Sequence, residues 1–353
     1  MTATLKKSTK IWLIIVVCAV IAIASIPIID RDKPLSNCEY AFWNNAKPLE
    51  TGAVVRIMVN WYHEAEFCGY YFAKTEGFYR DFNLDTRILP YDPEKSALDN
   101  LREGKIDFAI TTPTDIALED CENSDIVAIG AIFQLFPAVF ITMDGSGLDS
   151  PMDFCGKTII AKNQTWIIMT QHAIENAGGD SSCVEWDTGK VDITRFLRGE
   201  VDIWLGYIHD EPVEVAMAGY SGSMIYYFDY GLNDYASIIM TRRDLVENQP
   251  DLVLAFLAAT LRGWNSAFHN QEDALESVMI YAPGLAVPFQ REAIKTLIPF
   301  VRSGSAPIGW IDSNRWCESL SQWGIEHPES FLDDSFLQEL YKDNYALTNV
   351  FMD

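Results

Sequence analysis

Apolar positions along this chain fall into short runs, and the stretches between them carry helical spacing. The run at residues 54–59, rich in β-branched side chains, suits a buried strand, and a helix is predicted over 67–76 with Gly77 placed to end it. Residues 84–89 read as the next strand, 96–102 as a helix and 106–110 as a third strand. An alternation β-α-β-α-β implies a parallel sheet with helices on both faces.

The pattern restarts after Gly145-Ser146-Gly147, with strands at 158–161, 184–186 and 201–205 and helices at 165–176 and 191–198. A short echo supports two related α/β halves. Leu101-Arg102-Glu103-Gly104-Lys105-Ile106-Asp107 resembles Leu197-Arg198-Gly199-Glu200-Val201-Asp202 with one gap, each a helix end, a glycine stop and a strand opening on Asp. The alternative is that any helix-to-strand junction takes this form. Apolar runs at 138–143 and 235–240 are expected to be two strands crossing between the halves, and such crossings make a hinge. From Pro250 onward the chain reads as helical, with Leu252, Phe256, Ala259, Leu261 and Trp264 on an inward stripe and further helices at 291–301 and 314–323. The expected division is 53–142 for the first part of lobe 1, 143–233 for lobe 2, and 234–353 for the rest of lobe 1 with the C-terminal helices.

Residues 1–29 follow a different rule. Lys6, Lys7 and Lys10 precede an apolar run from Ile11 to Ile26, with no charge until Asp30, which is an export signature. Ala22-Ile23-Ala24 before Ser25 has the form a signal peptidase cuts. The run is also about long enough, at roughly 1.5 Å per residue, to span a bilayer uncleaved, so signal peptide and N-terminal anchor both stand. Either way the lysines place the N-terminus in the cytoplasm and the rest outside, in the periplasm or another extracytoplasmic space. Cys18 follows Val17, where a lipoprotein site wants a small residue. Residues 30–52 read as a tether.

Outside the cytoplasm Cys38, Cys68, Cys121, Cys155, Cys183 and Cys317 are free to pair. Cys155 and Cys183 each sit just before a predicted strand, and adjacent parallel strands would join them as a disulfide; the alternative is two buried thiols. No CxxC or histidine-rich spacing suggests zinc, and the five histidines are scattered, so no metal is expected. The 353 residues, 49% hydrophobic and 22% charged, suffice for a large core and two domains. With 26 basic against 50 acidic residues, a formal charge of -24 repels nucleic-acid phosphates and anionic headgroups.

Five stretches occur in a telling order. They are Asn60-Trp61-Tyr62-His63 leading to Cys68-Gly69-Tyr70-Tyr71-Phe72-Ala73-Lys74; residues 101–109; Gly156-Lys157-Thr158-Ile159; Gly206-Tyr207-Ile208-His209-Asp210-Glu211-Pro212; and Thr241-Arg242-Arg243-Asp244-Leu245 with Arg262-Gly263-Trp264. Together, over roughly residues 54 to 270, they resemble the substrate-binding proteins of the nitrate, sulfonate and taurine ABC transporter group, and more narrowly the branch similar to thiamine-pyrimidine precursor binders. The resemblance implies a two-lobed periplasmic-binding-protein fold (type II), with parallel-dominated sheets flanked by helices and two hinge crossovers. It further implies a monomer that closes on a small-molecule ligand and delivers it to an ABC permease.

In open parallel sheets, ligands bind beyond the carboxyl ends of the strands. Here those ends are Trp61-Tyr62-His63, Thr111-Thr112-Pro113-Thr114-Asp115, Lys162-Asn163-Gln164-Thr165-Trp166 and residues 207–211, expected to face one cleft. They supply aromatic faces in Trp61, Tyr62, Tyr70 and Tyr207, with His63 beside them. Thr111, Thr112, Gln164 and Thr165 add amide and hydroxyl groups, and Asp115, Asp210 and Glu211 add carboxylates. Such a set suits a flat heterocycle bearing amino groups, stacked on Trp and Tyr while Glu211 accepts from an amine. An oxyanion would want Arg or clustered backbone N–H groups, and Lys162 is the only cation in these loops, although helix N-termini also hold anions. Against the ligand reading stand Trp61 or Tyr70 as core aromatics, Asp210-Glu211 as caps of a helix from Pro212, and His63 as a solvated turn residue.

Pyrimidine synthases of the yeast type share the implied fold, but their dense cysteine cluster with iron and their pyridoxal-bearing lysine have no counterpart here. No GxSxG elbow, phosphate loop or paired-histidine motif occurs either. The expectation is a binding protein without catalytic residues or cofactor, serving transport, with an anchored ligand sensor as the alternative role.

Overall fold

A computed structural model describes residues 42–118, 125–304 and 306–343. The export segment, the first part of the tether, and Cys18, Cys38 and Cys121 lie outside the described residues. Strands follow in the order β1 (Ala53–Met58), β2 (Leu84–Leu89), β3 (Phe108–Thr111), β4 (Ile126–Phe133), β5 (Ala138–Met143), β6 (Thr158–Ile160), β7 (Glu185–Asp187), β8 (Trp204–Tyr207), β9 (Gly222–Tyr226) and β10 (Ala236–Arg242).

The first sheet has the order β2-β1-β3-β10-β4. In the second half β8-β5-β9 and β6-β7 are separate ladders, joined by a parallel bridge between Ile159 and Ile203 and by Ile160 N donating to Ile203 O at 3.2 Å. The joined order, β7-β6-β8-β5-β9, repeats that of the first sheet, with β5 in the place of β10. Each sheet therefore takes its fourth strand from the other end of the crossover.

The sheets are mixed rather than parallel-dominated. β1 is parallel to β2 and β3, and β6 to β7, whereas β10 and β5 are antiparallel to both neighbours. β4 ends with Phe133 on the same side of its sheet as the end of β3, and after a short link the first residue of β5, Ala138, pairs with Tyr207 at the end of β8. A strand that starts where its neighbours finish must run against them. The runs at 138–143 and 235–240 are thus not crossing strands: each lies within one sheet, and the crossings are the short links 134–137 and 227–235. Their apolar character reflects burial of the fourth strand on both faces, with Val139, Phe140, Ile141, Ile238 and Ile239 all buried.

The sequence echo is a structural one. Gly104 and Gly199 end their helices at φ of 69° and 73°, a left-handed conformation that suits glycine. Asp107 then accepts the N–H of Arg56 on β1 at 2.8 Å, and Asp202 accepts that of Thr158 on β6 at 2.9 Å. Each carboxylate fills a backbone donor on the neighbouring strand, within β1 at Arg56 and at the first residue of β6 at Thr158.

Helix Pro250–His269 crosses helix Cys68–Thr75 over two glycines. A methyl at Gly69 would overlap the Trp264 indole, and one at Gly263 would overlap the Gly69 carbonyl and Ala73. The predicted stripe Leu252, Phe256, Ala259, Leu261 and Trp264 is buried. Cys155 and Cys183 form the expected disulfide, with Cα atoms 4.9 Å apart, just before paired strands β6 and β7. No helix among the described residues is long and apolar enough to cross a membrane.

Candidate functional site

The carboxyl ends of the parallel strands in both halves open into one cleft of about 680 Å³. On the first wall, β1 runs into Asn60 and Trp61, β2 into Tyr91, and β3 into Thr111 and Thr112. Asp115 locks this last turn: its Oδ2 accepts from Thr112 Oγ1 at 2.8 Å, from Thr112 N at 3.3 Å and from Thr111 Oγ1 at 3.5 Å. Burial raises the Asp115 carboxyl, and these donors pull it back.

On the second wall, Asn163 caps helix Gln164–Asn176 by accepting Trp166 N at 3.0 Å, which turns Thr165 and Trp166 toward the cleft. Trp166 and Tyr207 pack with ring centroids 5.4 Å apart, facing Trp61 and Tyr91, whose centroids are 5.7 Å apart. Gly206 lets the chain after β8 fold tightly, because any side chain there would overlap the Glu211 carboxylate. Glu211 Oε2 accepts Tyr207 N at 3.1 Å, and its other oxygen is bonded to Lys162 Nζ.

Charge in the cleft is mainly acidic. Burial pulls the Lys162 ammonium down to about 8, while Asp210, Glu214 and Glu64 pull it back up. Glu64 is held well above the ordinary carboxyl range by burial, then by its neighbours Asp210 and Glu66. Lys95, the other lysine in the lining, is bonded to Glu103.

Of the residues singled out from sequence, Trp61, Thr111, Thr112, Asp115, Thr165, Tyr207, Asp210 and Glu211 line the cleft. Tyr62 does not; it stands on the rim, edge-on to Trp61 and Tyr91 and 57% exposed. His63 turns away to Tyr71 Oη at 2.8 Å, and burial lowers its imidazole below the ordinary value. Tyr70 is a core residue, fully buried and edge-on to Trp264. Gln164 is exposed outside the lining. Asp210 is the N-cap residue of helix Glu211–Met217 but makes no capping bond with its side chain.

Trp166 and His209, expected at the strand ends but given no ligand role there, also line the cleft, and sequence reasoning passed over Glu64, Glu66 and Tyr91. Tyr91 follows the end of β2, to which the strand-end rule applies as well as to β1 and β3. The same loop that supplied Trp61 carries Glu64 and Glu66.

Residues 64–274 match the family described as NMT1/THI5 like. The chain belongs to that family. Relatives of this NMT1/THI5-like chain include the formylaminopyrimidine-binding protein of Halalkalibacterium halodurans, 24% identical over 81% of this chain and 88% of the relative. The riboflavin-binding protein RibY of Chloroflexus aurantiacus is 23% identical over 77% and 80%, and the 4-amino-5-hydroxymethyl-2-methylpyrimidine phosphate synthase of Legionella pneumophila is 23% identical over 70% and 79%. Among solved structures, the periplasmic sulfonate-binding protein SsuA from Methylobacillus flagellatus superposes with a TM-score of 0.64 at 14% identity, covering 86% of this chain and 97% of that one. The fold is that of the periplasmic binding proteins.

Proposed function

We propose that this chain is the extracytoplasmic solute-binding component of an ABC importer and that it captures an amine-bearing heteroaromatic, such as an aminopyrimidine or a related vitamin, between its two walls. One observation carries the ligand class: aromatic faces stand on both walls, while both lysines of the described lining are already bonded to carboxylates, Lys162 to Glu211 and Lys95 to Glu103. A flat ring stacks between Trp61 or Tyr91 and Trp166 or Tyr207, and Asp210 accepts its amino hydrogens. The volume suits a small organic ligand. The names of the pyrimidine- and flavin-binding relatives support the same class.

The ligand touches loops from both sheets, so it favours the closed arrangement by its contacts there, with the links 134–137 and 227–235 as hinges. The permease then reads the closed shape. Binding without catalysis is supported by Cys68, the cysteine nearest in sequence to the Trp61 loop: it is buried, and burial pushes its thiol up to about 12, so it supplies no thiolate.

The test is a thermal-shift panel of aminopyrimidines, thiamine, riboflavin, alkanesulfonates and nitrate. A ligand that binds only the folded state raises the melting temperature by mass action. Stabilisation by an aminopyrimidine, thiamine or riboflavin supports the proposal, and stabilisation by sulfonates or nitrate alone sinks it.

A further inference from the structure

At the inner end of the cleft His209 is 1% exposed, and neither ring nitrogen has a hydrogen-bond partner. A neutral buried imidazole ordinarily satisfies one N–H and one acceptor nitrogen, and an orphaned pair calls for a cause. The ring is held between Phe133, nearly parallel at 6.1 Å, and Tyr207 at 5.8 Å. Its Nε2 lies 3.7 Å from Glu66 Oε2, beyond hydrogen-bonding distance. Glu66 is itself only 4% exposed, and Glu64 brings a second carboxylate, so that one donor atom from each of the three lies within 4.8 Å of the others.

We propose that Glu64, Glu66 and His209 form a binding site for a first-row divalent cation at the inner end of the cleft. Metal–ligand bonds of about 2 Å require the donor atoms to draw in by roughly 1 Å. Partly buried Glu64 reaches that by a rotamer change. Two carboxylate oxygens with one imidazole suit zinc, manganese or cobalt, and three protein ligands leave a position open toward the cleft. The carboxylates come from the loop after β1 and the imidazole from the loop after β8, so the cation ties the two walls together.

The test uses the full-length chain stripped with EDTA, in the absence of any organic ligand, so its failure leaves the heteroaromatic reading standing and the reverse also holds. Titration with Co2+, followed by visible absorption, is expected to saturate at one equivalent per chain, and Zn2+ to displace it. Outer-shell substitutions at metal sites already cost 10–100-fold in affinity, so His209→Leu and Glu66→Gln, which remove direct ligands, are each expected to cost at least about 100-fold. Metal-free variants that melt at or above the metal-free wild type show that this loss is not unfolding. Absence of saturable Co2+ binding to wild type, as a bare His209–Glu66 ion pair would give, overturns the proposal. So does binding that is unchanged in both variants.

Discussion

Lys162 and Glu211 are bonded to each other in the wall of the cleft, with side chains only 16% and 11% exposed. The pair joins the end of β6 to the end of β8, and it takes from the cleft a cation that an anionic ligand would need.

With burial holding Lys162 at about 8, below an unfolded value of about 10.4, this group's contribution to stability is present at high pH and lost as pH falls through 8. Between pH 7 and 9 the cleft loses one positive charge. Affinity for a ligand of fixed positive charge such as thiamine should then rise about tenfold, and that for a sulfonate should fall by a similar factor. Calorimetry at both pH values checks this, with Lys162→Met expected to abolish the change.

Trp61 lines the cleft at 45% exposure, whereas Tyr70 is buried against Trp264. Trp61→Ala should weaken ligand binding by about 1 kcal/mol or more, with little change in melting temperature. Tyr70→Phe should leave affinity unchanged, since the hydroxyl it loses meets Ser237 Oγ at 3.4 Å in the core, and Tyr70 does not line the cleft. A titration of both variants decides whether these two aromatics have the separate roles their positions give them.

Gly69→Ala should destabilise the protein by about 1–3 kcal/mol, because the added methyl meets a fully buried indole on a neighbouring helix and neither helix can move without opening the core. Urea denaturation would show this as a lower midpoint at unchanged slope.

Asp234, on the second crossover, is buried and accepts from Ser319 Oγ at 2.6 Å, Gln322 Nε2 at 2.5 Å and Trp323 Nε1 at 3.0 Å. Burial raises it to about 6 despite these donors. A carboxyl raised above its unfolded value of about 3.9 contributes stability that is full below that value and lost as pH rises through 6. The stability of wild type relative to Asp234→Asn should therefore fall by about 2 kcal/mol between pH 4 and 7. Paired denaturation curves across that range measure it, and a flat difference would count against the assignment.

The amino-acid sequence by itself determined the βαβ order, the glycine-stopped helix ends at Gly104 and Gly199 and the convergence of strand ends on one cleft, and it offered Cys155 and Cys183 as a pair that the structure then joined. These depend on neighbours in the chain and on the fixed hand and direction of βαβ units. Tertiary structure alone decided that β5 and β10 run against their neighbours, because their direction follows from where a crossover enters the other sheet. It also sent Tyr70 into the core, through contact with Trp264 almost 200 positions away, and brought His209 to Glu64 and Glu66. Periodicity records whether a side chain is apolar and how far its neighbours are along the chain; which partner it meets is set by packing between elements distant in sequence.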